Sequence, residues 1–184
     1  MNRTRQLFES LAILLSYPKG EIGVVAGQAI AALEGECPEI ADRLQEFALT
    51  IGRLPLSERE ELFTRTFDIN PLCCQEVGWQ IFGECYDRGG FLVEMRGLLR
   101  DRGVTESGEL PDHLTHLLAL FPRLDDAEAW KLGKDRMVPA IEKMLEGFKD
   151  DVNPYRDLLD VVRIVTLKTH LPEGAEHEEA DHVR

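Results

Sequence analysis

The chain is predicted to fold as an all-α, single-domain helical bundle, on three observations. Nearly every long segment repeats its apolar residues with the 3.6-residue period, no segment alternates polar and apolar residues over the length of a strand, and breaks containing proline or glycine divide the periodic stretches into helix-sized pieces. At 184 residues the length suffices for one domain with a substantial core, and no long linker divides it. Residues 1–171 are assigned to that domain. Residues 172–184 carry five acids and one arginine without apolar periodicity and are expected to form a disordered acidic tail.

The elements follow in order. Leu7, Phe8, Leu11, Leu14 and Leu15 make a first apolar stripe that stops at Tyr17-Pro18, because proline disfavours helical geometry in the residue before it. Residues 20–35 and 38–52 read as two further helices, the second opened by Pro38 and closed near Gly52. Ser57 with Glu60 has the spacing of a capping box, and the helix it would open carries Leu62, Phe63, Thr66 and Phe67 on one face before Asn70-Pro71 ends it. From Val77, Ile81, Phe82 and Cys85 share a side. A pause at Asp87-Arg88-Gly89-Gly90 precedes Phe91, Leu92, Met95, Leu98 and Leu99, and Arg100 and Arg102 ahead of Gly103 form a helix end. A polar loop over 103–109 leads to a helix expected to begin at Pro111, with Leu114, Leu117, Leu118 and Phe121 on its core side. Asp125 with Glu128 opens the longest pattern, Trp130 to Phe148, which Pro139 is expected to kink or split. Asn153-Pro154 caps the last stripe, Tyr155, Leu158, Leu159, Val162 and Val165.

Composition narrows the function. Thirty-four Asp and Glu against 21 Lys and Arg leave a formal charge of -13, which opposes binding to a phosphate backbone, so nucleic acid is not an expected ligand. No segment approaches the roughly 20 apolar residues of a membrane span. The run Leu11–Leu15 is too short for a signal-peptide core and follows Glu9, so stable membrane insertion is not expected and the protein is placed in the cytoplasm. Cys37, Cys73, Cys74 and Cys85 form no CxxC pair. Adjacent Cys73 and Cys74 would suit a vicinal disulfide or a metal only with further ligands nearby, and reduced thiols are the better reading. There is no P-loop, GxGxxG, HExxH or nucleophile elbow, and no enzymatic activity and no cofactor or metal of the protein's own is expected. His177 and His182 sit among acids in the tail, where the fixed geometry of a functional metal site is lacking.

The most informative stretch is Glu109-Leu110-Pro111-Asp112-His113. It would place an acid and an imidazole at a helix start, with His116 three residues on, beside apolar residues. An acid at a helix start is common and often only answers the macrodipole. Here, together with Glu109, His113 and His116, it makes a surface that can bond the backbone or guanidinium groups of a peptide. Leu62, Phe63 and Phe67 are core by default, and Trp79, following Gly78 after a chain break, is a candidate to line a groove.

These residues resemble the molybdoenzyme-specific assembly chaperones of the TorD/DmsD/NarJ superfamily, with the nitrate reductase assembly (NarJ-like) branch the nearest in pattern. The resemblance runs over roughly residues 5–165 and is carried by Leu14-Leu15-Ser16-Tyr17-Pro18, by Glu61 to Asp68 with Gly83-Glu84 and Arg88-Gly89, and by Glu109 to Leu114. It departs at Arg59, where the family's first signature has an aromatic. The resemblance implies a helical bundle without a catalytic centre. It further implies a cytoplasmic chaperone that binds the N-terminal, twin-arginine or twin-arginine-like segment of a molybdoenzyme's catalytic subunit while the molybdenum cofactor is inserted. On that reading Asp112 attracts an arginine or amine, His113 and His116 bond the peptide backbone, and Leu62, Phe63 and Phe67 shape an apolar floor with Trp79 beside it. Asp112→Ala and His113→Ala are then expected to weaken peptide binding without unfolding the protein.

Two other readings predict different behaviour. A stable helical subunit of a membrane-associated oxidoreductase complex would co-purify with the mature enzyme. A small metal-dependent enzyme using Asp112, His113 and His116 would hold a metal. The state of association is read as a monomer or a helix-swapped dimer, with the 103–109 loop as the hinge.

Overall fold

A computed structural model of the protein describes residues 2–20, 22–33, 37–149 and 152–169. The assigned tail, with His177 and His182, lies outside the described residues. Those described form helices α1 (Arg3–Leu14), α2 (Ile22–Leu33), α3 (Pro38–Gly52), α4 (Leu56–Phe63), α5 (Val77–Phe82), α6 (Tyr86–Asp101), α7 (Leu114–Leu120), α8 (Asp126–Leu132), α9 (Val138–Glu146) and α10 (Pro154–Thr169), and no strand. None of the described helices is long and apolar enough to cross a membrane.

The apolar stripes meet around α1 and α10. Helix α1 packs between α2 and α7, and α10 packs on α3 and α9, with α5 against α9. Phe8 of α1 stacks on Phe121 at 4.8 Å between ring centroids, and Leu11, Leu15, Leu44, Ile51, Leu114 and Leu117 are likewise sealed from solvent in the core. Burying an aliphatic or aromatic side chain of this size contributes about 1.5–3 kcal/mol. Helix α6 runs at the edge, touching α5 and α7.

Local chemistry explains most of the boundaries. Asn2 caps α1 through its side chain, Pro38 opens α3, and Asn153 caps α10 by accepting from the Tyr155 N–H at 3.1 Å. Asp125 and Glu128 form a full capping box on α8. Pro139 falls in the first turn of α9, directly after a π turn over Gly133–Met137, so the long pattern is split as the proline requires.

Four expectations are corrected. Ser57 caps nothing: α4 already starts at Leu56, with Pro55 in the cap position. The pause at Asp87–Gly90 is absent, because α6 runs through both glycines and the break falls earlier, at Gly83, whose φ of 64° is one that glycine tolerates. The helix expected from Pro111 starts at Leu114, and His113 takes its cap, because Asp112 and His113 are drawn into pairing with the segment before α5. The helix carrying Phe63 and Phe67 does not stay α-helical: Thr64–Asp68 form a π turn, across which Phe67 still meets Phe63 at 5.0 Å between ring centroids.

Candidate functional site

Three segments remote in sequence are tied together by hydrogen bonds, two through their backbones and the third through one side chain. The Cys74–Val77 stretch pairs with Glu109–Leu114: Val77 N–H donates to the Asp112 carbonyl at 2.9 Å and Leu114 N–H to the Gln75 carbonyl at 2.8 Å. The Gln75 side chain reaches the other way, donating from Nε2 to the Leu15 carbonyl at the end of α1 at 3.0 Å. Gln75, almost fully buried, is therefore the joint between all three.

Where these segments meet the π turn they enclose a cleft of about 570 Å³. Ser16, Tyr17 and Lys19 form one wall, Cys74, Gln75 and Glu76 a second, and Ser107, Gly108, Glu109, His113 and Thr115 a third, with Phe63, Phe67 and Asp68 beneath. Tyr17 meets Phe63 edge-on at 5.6 Å. Three carboxylates, Asp68, Glu76 and Glu109, stand against one cation, Lys19, so the cleft carries the negative sign of the whole protein.

Of the residues singled out from the sequence, Phe63, Phe67, Glu109 and His113 line this cleft. His113 caps α7: its Nδ1 accepts from the Thr115 N–H at 3.4 Å and lies 2.7 Å from the Thr115 hydroxyl, which leaves the proton on Nε2. Burial holds the imidazole down at about 4, with Glu76 pulling the other way, so the ring is neutral at pH 7 and offers an N–H donor.

Asp112 and His116 act from behind the wall. Asp112 is fully buried, its Oδ2 accepting from the Gly78 N–H at 3.0 Å and standing 3.5 Å from Arg88 Nε. Burial pushes its carboxyl up, against the opposing pull of Arg88. The arginine that Asp112 attracts therefore belongs to this chain, which corrects the expectation of a direct contact with a visiting one. Gly78 is required for this approach, since a Cβ there would lie 2.6 Å from Asp112 Oδ2. His116 is likewise buried, with both ring nitrogens used. Nε2 accepts from the Ser107 N–H at 2.9 Å, so Nδ1 carries the proton and donates to the Leu110 carbonyl at 2.9 Å, pinning the loop that forms the third wall. It has no nitrogen left for a peptide backbone.

Trp79 and Leu62 lie elsewhere. Trp79 stacks against Arg88, whose guanidinium carbon is 5.7 Å from the ring centroid, and so braces the Asp112 partner. Leu62 points to the opposite side of the π turn, into a broader groove with Arg65, Ile69, Phe148 and Lys149. Arg59, the departure from the family pattern, donates to the carbonyls of Leu54 at 2.7 Å and Gly52 at 3.1 Å, closing the orphan end of α3, and reaches Gly20 at 3.5 Å. It thereby tethers the end of the Tyr17–Lys19 wall to α4.

Ser16, Tyr17 and Asp68 also line the cleft and lie in the quoted motifs without a role having been assigned to them, and Cys74 was read only as a thiol. The cleft residues that sequence reasoning did not single out are Lys19, Gln75, Glu76, Ser107, Gly108 and Thr115, which only their closeness to those motifs signalled. Asp112, His113 and His116 face different partners, and among the described residues no group of three or more His, Cys, Asp or Glu could hold a metal. No disulfide joins the described cysteines. Burial pushes Cys73 up to about 11 and Cys74 up to about 12.

No family model and no curated protein sequence matches the chain. Among solved structures, a chain described as a redox enzyme maturation protein from Archaeoglobus fulgidus superposes with a TM-score of 0.58, covering 87% of this chain and 91% of that one at 19% identity. That likeness establishes a shared helical fold.

Proposed function

We propose that the protein is an assembly chaperone for a molybdenum-containing redox enzyme, nitrate reductase or a relative, and that the cleft holds the N-terminal segment of the enzyme's catalytic subunit. One observation carries the reading. Residues from the three stretches that bear the family resemblance, Ser16-Tyr17, Phe63 to Asp68 and Glu109 to His113, are far apart in sequence and supply two walls and the floor of a single cleft, with Cys74 to Glu76 as its remaining wall. Packing alone requires no such convergence of signature residues around open space. The shared fold with a redox enzyme maturation protein supports the same reading.

The chemistry fits a peptide that is cationic at one end and apolar beyond it. Asp68, Glu76 and Glu109 attract the cationic end and raise its rate of encounter. Tyr17 and the edges of Phe63 and Phe67 accept apolar side chains, and the His113 Nε2–H donates to a peptide carbonyl. Asp112, Arg88, Trp79 and His116 hold the walls in place. The protein supplies binding and exclusion, and the chemistry of cofactor insertion belongs to the client.

The test is calorimetric titration with a synthetic peptide of the N-terminal segment of a molybdoenzyme catalytic subunit from the same cell. Wild type should bind, Glu109→Gln and Phe67→Ala should bind about tenfold more weakly, and Leu62→Ala, in the other groove, should bind as wild type does. Equal affinity across all four removes the cleft from the reading. A tagged pull-down adds the client: a cofactor-poor catalytic subunit supports the chaperone, whereas recovery of only the loaded enzyme overturns it.

A further inference from the structure

The broader groove on the opposite side of the Thr64–Asp68 turn measures about 770 Å³ and lies between the end of α3, that turn and the connection from α9 to α10. Three of the most exposed large apolar side chains among the described residues line it: Ile69 at 71%, Leu72 at 61% and Val152 at 84%. Beneath them Leu54 and Phe148 are half-buried against the core. Single exposed apolar side chains are ordinary on a protein surface, but several gathered along one concave face mark an interaction site.

The groove is built rather than loose. Leu72 N–H donates to Asn70 Oδ1 and the Leu72 carbonyl accepts from Gln80 Nε2, both at 3.2 Å. Gly147 lies so close that a Cβ there would stand 2.8 Å from Leu72 Cβ. Asn153 Nδ2 donates to Thr66 Oγ1 at 2.8 Å, which ties the start of α10 to the π turn. A ligand therefore meets a surface already shaped.

Its charge is the reverse of the cleft's. Arg65 and Lys149 are the only ionisable groups among the described residues that line it, both are exposed, and neither has an ion-pair partner among the described residues. The charge of -13 on the whole chain is screened over about 8 Å at physiological ionic strength, so at contact these two cations set the sign of what docks. A cationic segment suited to the cleft is disfavoured here. Helices wall the groove and no strand edge borders it among the described residues, which suits a helix laid in by its apolar face rather than an added strand.

We propose that this groove docks an amphipathic helix of another polypeptide, its apolar face on Ile69, Leu72 and Val152 and its flanking carboxylates on Arg65 and Lys149. The site is separate from the cleft and stands or falls without it.

The probe is a synthetic three-heptad peptide with leucine along one face and glutamate on both flanks. A second peptide carries lysine in place of every glutamate. Each is titrated into the intact protein while the methyl resonances of Ile69, Leu72 and Val152 are followed; these residues line the groove and not the cleft, so binding in the acidic cleft leaves them still. A carbodiimide, which joins an amine to a touching carboxylate as an amide and takes up the water released, then traps the contacts of Lys149 for mass spectrometry. The expected result is saturable shifts with the glutamate peptide and Lys149 joined to one of its glutamates. Binding should be about tenfold weaker with the lysine peptide, and about tenfold weaker for the glutamate peptide in Arg65→Glu, Lys149→Glu and Ile69→Asp. All three positions are exposed, so the variants should melt with wild type. The proposal is overturned by the absence of saturable shifts, by equal affinity for the two peptides, or by variants that bind as wild type does. Coupling of Lys149 in the free protein to an acid between residues 173 and 181, or to a second copy in a mixture of light and heavy protein, also overturns it, because the chain would then fill its own groove.

Discussion

Replacing Gly78 by alanine tests whether the Asp112 clasp holds the site together. In an ordinary helix position the change gains about 0.5–1 kcal/mol. At Gly78 the new Cβ would stand 2.6 Å from Asp112 Oδ2 and 2.9 Å from Phe91 Cδ1. Asp112 cannot step aside freely, because its carbonyl is bonded to Val77 N–H and its side chain is enclosed. The carboxylate must turn and give up the Gly78 N–H, a bond to a charged group worth about 1.5–3 kcal/mol. The net loss is about 1–2 kcal/mol, or a fall in melting temperature of roughly 2–8 °C for a chain of this size. Gly90→Ala is the control: it lies inside α6 with nothing within 4 Å of a new Cβ, and should raise stability by up to about 1 kcal/mol. Urea and thermal unfolding of the two variants give the answer, and a Gly78→Ala protein as stable as wild type would refute the argument. A double-mutant cycle sharpens it. Asp112→Ala should cost about 2–4 kcal/mol, because Arg88 and the Gly78 N–H lose their buried partner. Adding Gly78→Ala should then cost almost nothing more, since the same contact is already gone.

Other perturbations read other parts of the molecule. The His113 imidazole, held at about 4 against an ordinary 6.5, favours the folded state above pH 6.5, and the unfolded chain takes up the proton first as pH falls; roughly 3 kcal/mol of stability is therefore lost between pH 6.5 and 4. His113→Asn keeps the helix cap and should flatten that part of a stability-against-pH curve, whereas an unchanged slope would assign the loss to other groups. A disulfide reagent at pH 8 should modify exposed Cys85 on mixing, react slowly at half-buried Cys74 in the cleft wall and reach buried Cys73 only with unfolding, because burial raises the thiols of Cys73 and Cys74 to about 11 and 12; cleavage mapping of the adducts decides. Arg59→Ala should cost about 1–2 kcal/mol from its lost carbonyl bonds and release the Tyr17–Lys19 wall, seen as faster amide exchange at Lys19 and Gly20.

The fold was largely legible because helices declare themselves through spacing. Leu7, Phe8, Leu11, Leu14 and Leu15 recur on one face, and Pro38, Asn153 and the Asp125–Glu128 pair act locally at helix starts. What stayed hidden depends on contacts across the chain. Nothing near Asp112 announces that Gly78 and Arg88 will enclose it, so a residue read as a displayed acid is a buried one. The π turn at Thr64–Asp68 has no spacing of its own, and Leu62 and Phe63, adjacent in α4 and so about 100° apart around its axis, open into different pockets. Glu109 and His113 were found because their motif lies in one run. Glu76 was not, and Asp68 was given no role although its motif was quoted, because a cleft-facing acid and a solvated one look alike in sequence.

The Gln75 joint also governs when the cleft exists. Its bonds span from Leu15 to Leu114, so the end of α1, the stretch before α5 and the start of α7 must dock before the walls meet, and contacts of such separation form late in folding. A chain caught half-folded has α1 and α4 but no third wall, and so no competence to bind. Ligand capture is thereby a readout of completed folding: a binding-active fraction measured during refolding should rise with the slowest phase, after most of the helical signal has already returned.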